Sequence, residues 1–238
     1  MMLRQFASLV LGCSVTALMA QTPALTPGEY ISAGGWGHLA ITTKGKALSF
    51  SLTAIGANVH TCDLAGEIHA GKATLEAMEP DKPCVVSFAA KAGGIDVSSG
   101  DSGTCRYYCG ARASFEALYL APAAGCTRVA LRDQRSAFKK LYDQKSFAAA
   151  RKTLEPVLEQ CKATLHRLEE GRIRNDLAVT LHKLGELAEC QRVLEPLMED
   201  ARLSDDELRN NYPPSDADML LPIVRATRTN LRLCKAKA

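Results

Sequence analysis

From Glu29 to about Val97 the chain alternates apolar and polar residues in short runs broken by turn residues. Leu39 and Ile41 set the pattern across Gly37–Thr43, and Leu48, Phe50 and Leu52 repeat it across Ala47–Thr53, with Lys44-Gly45-Lys46 between the two runs. A period of two puts alternate side chains on one face, so these runs are predicted to form a half-buried antiparallel hairpin. Thr61–His69 alternates less cleanly, turns at Ala70-Gly71 and returns through Lys72–Glu76; Cys84–Phe88 and Ile95–Ser98 flank Gly93-Gly94. Helical periodicity is absent from this part. The expectation is an antiparallel meander of about six or seven strands, closed as a small barrel or sandwich.

Beyond Ala121-Pro-Ala-Ala-Gly-Cys126 the pattern changes to Leu, Ala, Glu, Lys and Arg, a helix-forming composition. Leu141 and Leu181 lie 40 residues apart, and so do Leu154-Glu155-Pro156 and Leu194-Glu195-Pro196, with Val157-Leu158 and Leu197-Met198 beside them. A matched period with matched chemistry predicts repeated helical hairpins. Ser204-Asp-Asp-Glu reads as the cap of a further short helix, Pro213-Pro214 ends it, and Ser215–Cys234 forms a last helix that Pro222 bends or delays. The fold class is therefore α+β with two segregated domains, residues 25–126 and 127–238.

The hairpins resemble tetratricopeptide repeats. Tyr142 stands near that family's aromatic position, Phe147 and Leu187 at its large residue next to the turn, and Ala150 at its small position in the second helix. Cys190 replaces the small residue in the second unit, and both prolines come early. The resemblance implies a helical array with a concave surface that binds protein or peptide.

The first twenty residues carry Arg4, an apolar run from Phe6 to about Met19 and small residues before a Pro-containing stretch, the layout of a secretory signal peptide. Cleavage is expected after Ala20, with Ala17 or Ala24 as alternatives; a lipoprotein attached through Cys13 is the minor reading. No other segment has eighteen continuous apolar residues, which predicts a soluble mature chain without a membrane span. A net charge of +3 with mixed signs lacks the basic face that nucleic acid requires.

Without Cys13, eight cysteines remain: Cys62, Cys84, Cys105, Cys109, Cys126, Cys161, Cys190 and Cys234. In an exported chain an even number reads as disulfides rather than metal ligands. Cys62 and Cys84 are expected to bridge neighbouring or facing strands, and Cys105 or Cys109 to reach Cys126. Five of the eight precede residue 127 and three follow it, so either one bridge ties the halves together, the favoured reading, or each half keeps a free thiol. No metal or cofactor is expected, and the five histidines read as surface or turn residues. Ser98-Ser99-Gly-Asp101-Ser102-Gly, the one candidate for a hydrolase nucleophile, is ordinary turn material. Trp36, inside Gly34-Gly35-Trp36-Gly37, is expected to plug one end of the barrel.

Cys105–Tyr119, CRYYCGARASFEALY, concentrates arginine and tyrosine, residues enriched at interface hot spots. The candidate binding residues are Arg106, Tyr107, Tyr108, Gly110, Ala111, Arg112, Ser114 and Glu116. Alternatively Glu116 pairs with Arg112 on a helical turn, while Tyr107, Phe115 and Tyr119 complete the barrel core. The Gly110-Ala111-Arg112 loop resembles the inhibitory loop of periplasmic inhibitors of c-type lysozyme, although Cys109 replaces the preceding serine. That resemblance implies an arginine directed at the acidic cleft of a wall hydrolase. The expected function is an exported, non-enzymatic protein-binding module, either an inhibitor or protective protein against a lysozyme-like hydrolase or toxin, or an envelope scaffold. A wall hydrolase is the remaining alternative.

Overall fold

The computed structural model describes residues 24–45, 47–76, 82–100 and 103–235. The expected leader, Cys13 and Ser102 lie outside the described residues. Eight strands come first: β1 Gly28–Ser32, β2 Gly37–Lys44, β3 Ala47–Ile55, β4 Thr61–Ile68, β5 Lys72–Leu75, β6 Cys84–Lys91, β7 Gly94–Ser99 and β8 Ala117–Leu120. Their order in the sheet, β4-β3-β2-β1-β8-β7-β6-β5, is a meander wrapped into a nearly closed barrel. All the pairings are antiparallel. β4 and β5 meet at the remaining seam through the His69–Lys72 bridge, whose turn residues Ala70 and Gly71 have φ of 49° and 78°.

The expected hairpin is β2–β3, where Leu39 faces Leu52 and Ile41 faces Phe50, all four buried. The alternating apolar positions of β3, β4, β6 and β7 point into the same core, where the Phe50 and Phe88 rings stand 4.8 Å apart. β1 and β8 are the strands that alternation did not predict. Both are short, and they pair with each other at Ile31–Leu120 and Ser32–Tyr119 to join the two ends of the meander.

The helices follow: α1 Arg128–Asp143, α2 Phe147–Gln160, α3 Arg167–Lys183, α4 Leu187–Leu194, α5 Met198–Arg202, α6 Asp205–Asn211 and α7 Pro214–Lys235. α1/α2 and α3/α4 are the two repeated hairpins. Ala150 is fully buried at the α1–α2 contact, where only a small side chain lets two helices approach closely. Ser204 and Glu207 form a capping box on α6. α7 runs unbroken through Pro222, so that proline does not delay the helix. It lies along α3, where Asn175 Nδ2 donates to Thr227 Oγ1 at 2.9 Å and Asn230 Nδ2 to Asn175 Oδ1 at 3.0 Å; these buried amides satisfy one another and fix the register of the two helices.

The disulfides are Cys62–Cys109, Cys84–Cys105, Cys126–Cys161 and Cys190–Cys234. These pairings correct three expectations. Cys62 and Cys84 do not join each other; each ties a strand to the Cys105–Cys109 stretch. Neither Cys105 nor Cys109 reaches Cys126, which belongs to the helical core with Cys161. The imbalance of five and three disappears because Cys126 sits at the foot of α1, and no disulfide joins sheet to helices among the described residues. Four intramolecular disulfides point to an oxidising, non-cytoplasmic compartment. No helix among the described residues is long and apolar enough to cross a membrane.

Sheet and helices are held by hydrogen bonds at two turns. Gly34 N, between β1 and β2, donates to the Ala163 carbonyl at 2.9 Å. Asn58, between β3 and β4, makes a reciprocal clasp with the start of α7: its N–H donates to Asp216 Oδ2 at 3.1 Å, and its Oδ1 accepts from Ser215 N at 3.0 Å.

Candidate functional site

The Cys105–Tyr119 stretch folds as a short 3₁₀ turn over Thr104–Tyr108, an extended loop and β8. Two disulfides and the bond from Gly110 N to the Thr61 carbonyl (2.8 Å) pin it to the barrel. Arg106, Ala111, Arg112 and Ser114 are exposed. Tyr107 is 65% exposed, which corrects its assignment to the core, whereas Phe115 and Tyr119 are buried there. Burial raises the Tyr119 phenol above its ordinary range, and its hydroxyl donates to the Phe115 carbonyl at 2.8 Å. Tyr108 is fixed from its hydroxyl to the Glu76 carbonyl at 2.8 Å.

Glu116 does not neutralise Arg112. The segment is not helical, and the Glu116 carboxylate accepts from both the N–H and the hydroxyl of Ser99. Arg112 has no carboxylate partner among the described residues. The dent beside these side chains holds only about 190 Å³. Cys105 and Cys109 are oxidised, so the thiolates a zinc site would need are absent.

A much larger cleft, about 940 Å³, lies between one end of the barrel and the helices. On the barrel side it is lined by Trp36, His38, Ile55 and Val59, and on the helical side by one face of α1, one face of α3 and the α2–α3 turn. Gly35 makes this junction possible. Its φ is +73°, and a Cβ there would stand 2.5 Å from both Thr164 O and His166 N. Only glycine lets the β1–β2 turn seat against the α2–α3 turn. Trp36 follows directly. It is half-buried, packs against the barrel core with its ring 6.4 Å from that of Tyr119, and also faces the cleft. The expected plug at the barrel end is thus also part of a cleft wall.

At the β3–β4 turn, Asn58 and Val59 both have left-handed backbone, with φ of 57° and 60°. Asparagine tolerates this conformation, but a β-branched valine is strained in it. The Asn58–Asp216/Ser215 clasp holds the turn, leaving Val59 44% and Ile55 49% exposed at the cleft edge.

Charge lines the opposite wall. Arg128, Arg132, Arg135 and Lys139 recur on one face of α1, as spacings of three and four residues require. Arg135 spans to α3, 3.2 Å from Glu169 and 3.2 Å from Asp176. Burial raises the Asp176 carboxyl above its usual range, with the Arg135 guanidinium opposing that shift. Lys139 pairs with Asp143 at 2.6 Å. Both histidines of the cleft are pushed towards the neutral form; His166 sits in the α2–α3 turn, whereas His38 lies within β2 and is partly buried. His38 falls to about 4, first through burial and then through Arg128. Glu29 lies 3.6 Å from its Nδ1 and favours the proton, but burial outweighs a partly exposed carboxylate. His166 is lowered by burial and then by Arg167 and Arg172, and its Nδ1 accepts from Leu168 N at 3.3 Å.

The structure therefore puts the candidate residues on a loop at the same end of the barrel as the cleft, with the Arg112 carbonyl against Gly56 of the β3–β4 turn, and opens a larger, chemically richer concavity beside that loop. Two signals for the cleft were in the sequence: the Gly-Gly-Trp-Gly turn and the periodic cations of α1. Comparison with protein families, curated proteins and solved structures finds no match to this chain.

Proposed function

We propose that this chain is an exported, non-enzymatic binding protein, periplasmic or extracellular, that holds a segment of a protein partner in the cleft between the barrel end and α1/α3. The observation carrying this reading is the cleft itself. Its volume of about 940 Å³ is that of a ligand site, and it combines an aromatic and aliphatic side with a guanidinium-lined side. The faces used on the helical side are those of the first helices of the two hairpins, α1 and α3. Two turns lock barrel and helices together, so the site is largely preformed, and little ordering opposes binding.

A second reading is favoured by Arg112, exposed and without a carboxylate partner among the described residues, on a loop fastened by Cys62–Cys109. Such a cation suits the acidic cleft of a lysozyme-like hydrolase or toxin, and inhibition would then require the barrel side alone.

Photo-crosslinking separates the two. A crosslinkable residue at Ile55, on the cleft edge, should capture a partner from an envelope extract, and one at Tyr107, on the loop, should not. Capture only from Tyr107, together with inhibition of purified c-type lysozyme that Arg112→Ala abolishes, would replace the first reading with the second.

A further inference from the structure

We infer that the cleft takes an acidic peptide segment in which a carboxylate lies close to a large apolar side chain. This rests on the reading of the cleft as the binding site. Five cations line it, the four of α1 and Arg172 of α3, against three carboxylates, Asp143, Glu169 and Asp176. All three carboxylates are already engaged. Glu169 is shared by Arg135 and by Arg172, the latter at 3.3 Å; Asp176 accepts from Arg135; Asp143 pairs with Lys139.

The excess falls on Arg128 and Arg132. Arg128 has no carboxylate partner among the described residues. Among the described residues Arg132 meets one carboxylate, Asp133 at 3.5 Å, with both side chains about two-thirds exposed, a pair of little strength. Both arginines stand in the first turns of a sixteen-residue helix whose first turn contains no acid, so the positive end of the helix adds to their charge instead of offsetting it. Guanidinium groups suit planar carboxylates, which they can hold through two hydrogen bonds.

Across the cleft Trp36, Ile55 and Val59 present apolar surface to the same space. Val59 does so from a left-handed conformation that a valine adopts only under constraint. An occupant must therefore offer negative charge to one wall and an apolar group to the other. The Thr53, Ser136 and Thr164 hydroxyls already donate to Asp63, to the Arg132 carbonyl and to the Cys161 carbonyl, and offer only their lone pairs to the N–H groups of a peptide. The cleft is open rather than enclosed, which admits an extended chain with free ends.

Selection of a random octapeptide display library on the disulfide-intact protein tests this. Enriched sequences, made as end-capped peptides, are then titrated while following Trp36, the one tryptophan of the chain, which lines the cleft. The expected winners combine Asp or Glu with Phe or Leu, shift Trp36 emission saturably, and weaken about tenfold or more in Arg128→Ala/Arg132→Ala. The charge-reversed Arg128→Glu/Arg132→Glu variant should instead select basic peptides. Both arginines are exposed, and unchanged circular dichroism verifies that the variants fold. Neutral or basic winners that still shift Trp36 would overturn the acidic assignment while leaving the cleft as the site. Winners that bind without moving Trp36 would overturn both.

Discussion

Replacing Asn58 by alanine should loosen the junction that forms the cleft. Two contributions are lost. The side chain accepts from Ser215 N in the first turn of α7, a cap supplied by another part of the chain and worth about 1 kcal/mol. The residue also sits at φ 57°, ψ 33°, where alanine is disfavoured relative to asparagine by about 1 kcal/mol. The sum of about 2 kcal/mol corresponds to a fall in Tm of about 4–8 °C for a chain of this size. Asn58→Gly separates the contributions, because glycine accepts the left-handed backbone but cannot cap α7; it should show about half the fall. The bond from the Asn58 N–H to Asp216 survives in both variants. Thermal melts followed in parallel by far-ultraviolet circular dichroism and Trp36 emission give the readout. An alanine variant as stable as wild type, or a glycine variant less stable than the alanine one, would refute the clasp.

Other consequences can be measured independently. Gly35→Ala should destabilise by about 2–5 kcal/mol, combining left-handed strain with a backbone clash, and should red-shift Trp36 emission as the two layers separate; a wild-type melt would contradict the close approach. His38 should titrate near 4 by NMR and move upward in Arg128→Ala. Because its folded value lies below the unfolded 6.5, its contribution is complete above pH 6.5 and declines between pH 6.5 and 4, by at most about 1.4 kcal/mol per pH unit; His38→Gln should flatten that part of the stability profile. Replacing Cys126 and Cys161 together by alanine frees a loop spanning 35 residues and should lower stability in urea by about 4 kcal/mol; a loss under 1 kcal/mol would remove this disulfide from the account.

What could be read from the sequence divides along local and non-local lines. Alternation at Leu39/Ile41 and Leu48/Phe50/Leu52 identified β2 and β3 because burial of one face writes a period of two into the chain. The 40-residue spacing identified the hairpins because each repeat must bury the same face against its neighbour. β1 and β8 left no such trace. Three consecutive residues of β1, Tyr30, Ile31 and Ser32, are buried because the strand joins two parts of the barrel and is covered on both sides. β8 lies in a stretch whose arginines and tyrosines drew attention to a loop. Cysteine pairing followed from barrel closure, which brings Cys62 opposite Cys109 across 47 residues, and no local pattern encodes that. The cleft was hardest to foresee, since its two walls belong to different layers. Gly35 and the α1 cations announce a close approach and a charged face, but only the packed structure sets one against the other.

The proposed site for a partner lies between the barrel end and α1, and Trp36 reports on that space directly. The measurement is a titration of Trp36 emission with the partner recovered by crosslinking, carried out in wild type, Arg112→Ala and Arg128→Glu/Arg132→Glu. Binding in the cleft should give a saturable shift of equal affinity in wild type and Arg112→Ala, lost on charge reversal of α1. Full-affinity binding with no change at Trp36, abolished instead by Arg112→Ala, would contradict it.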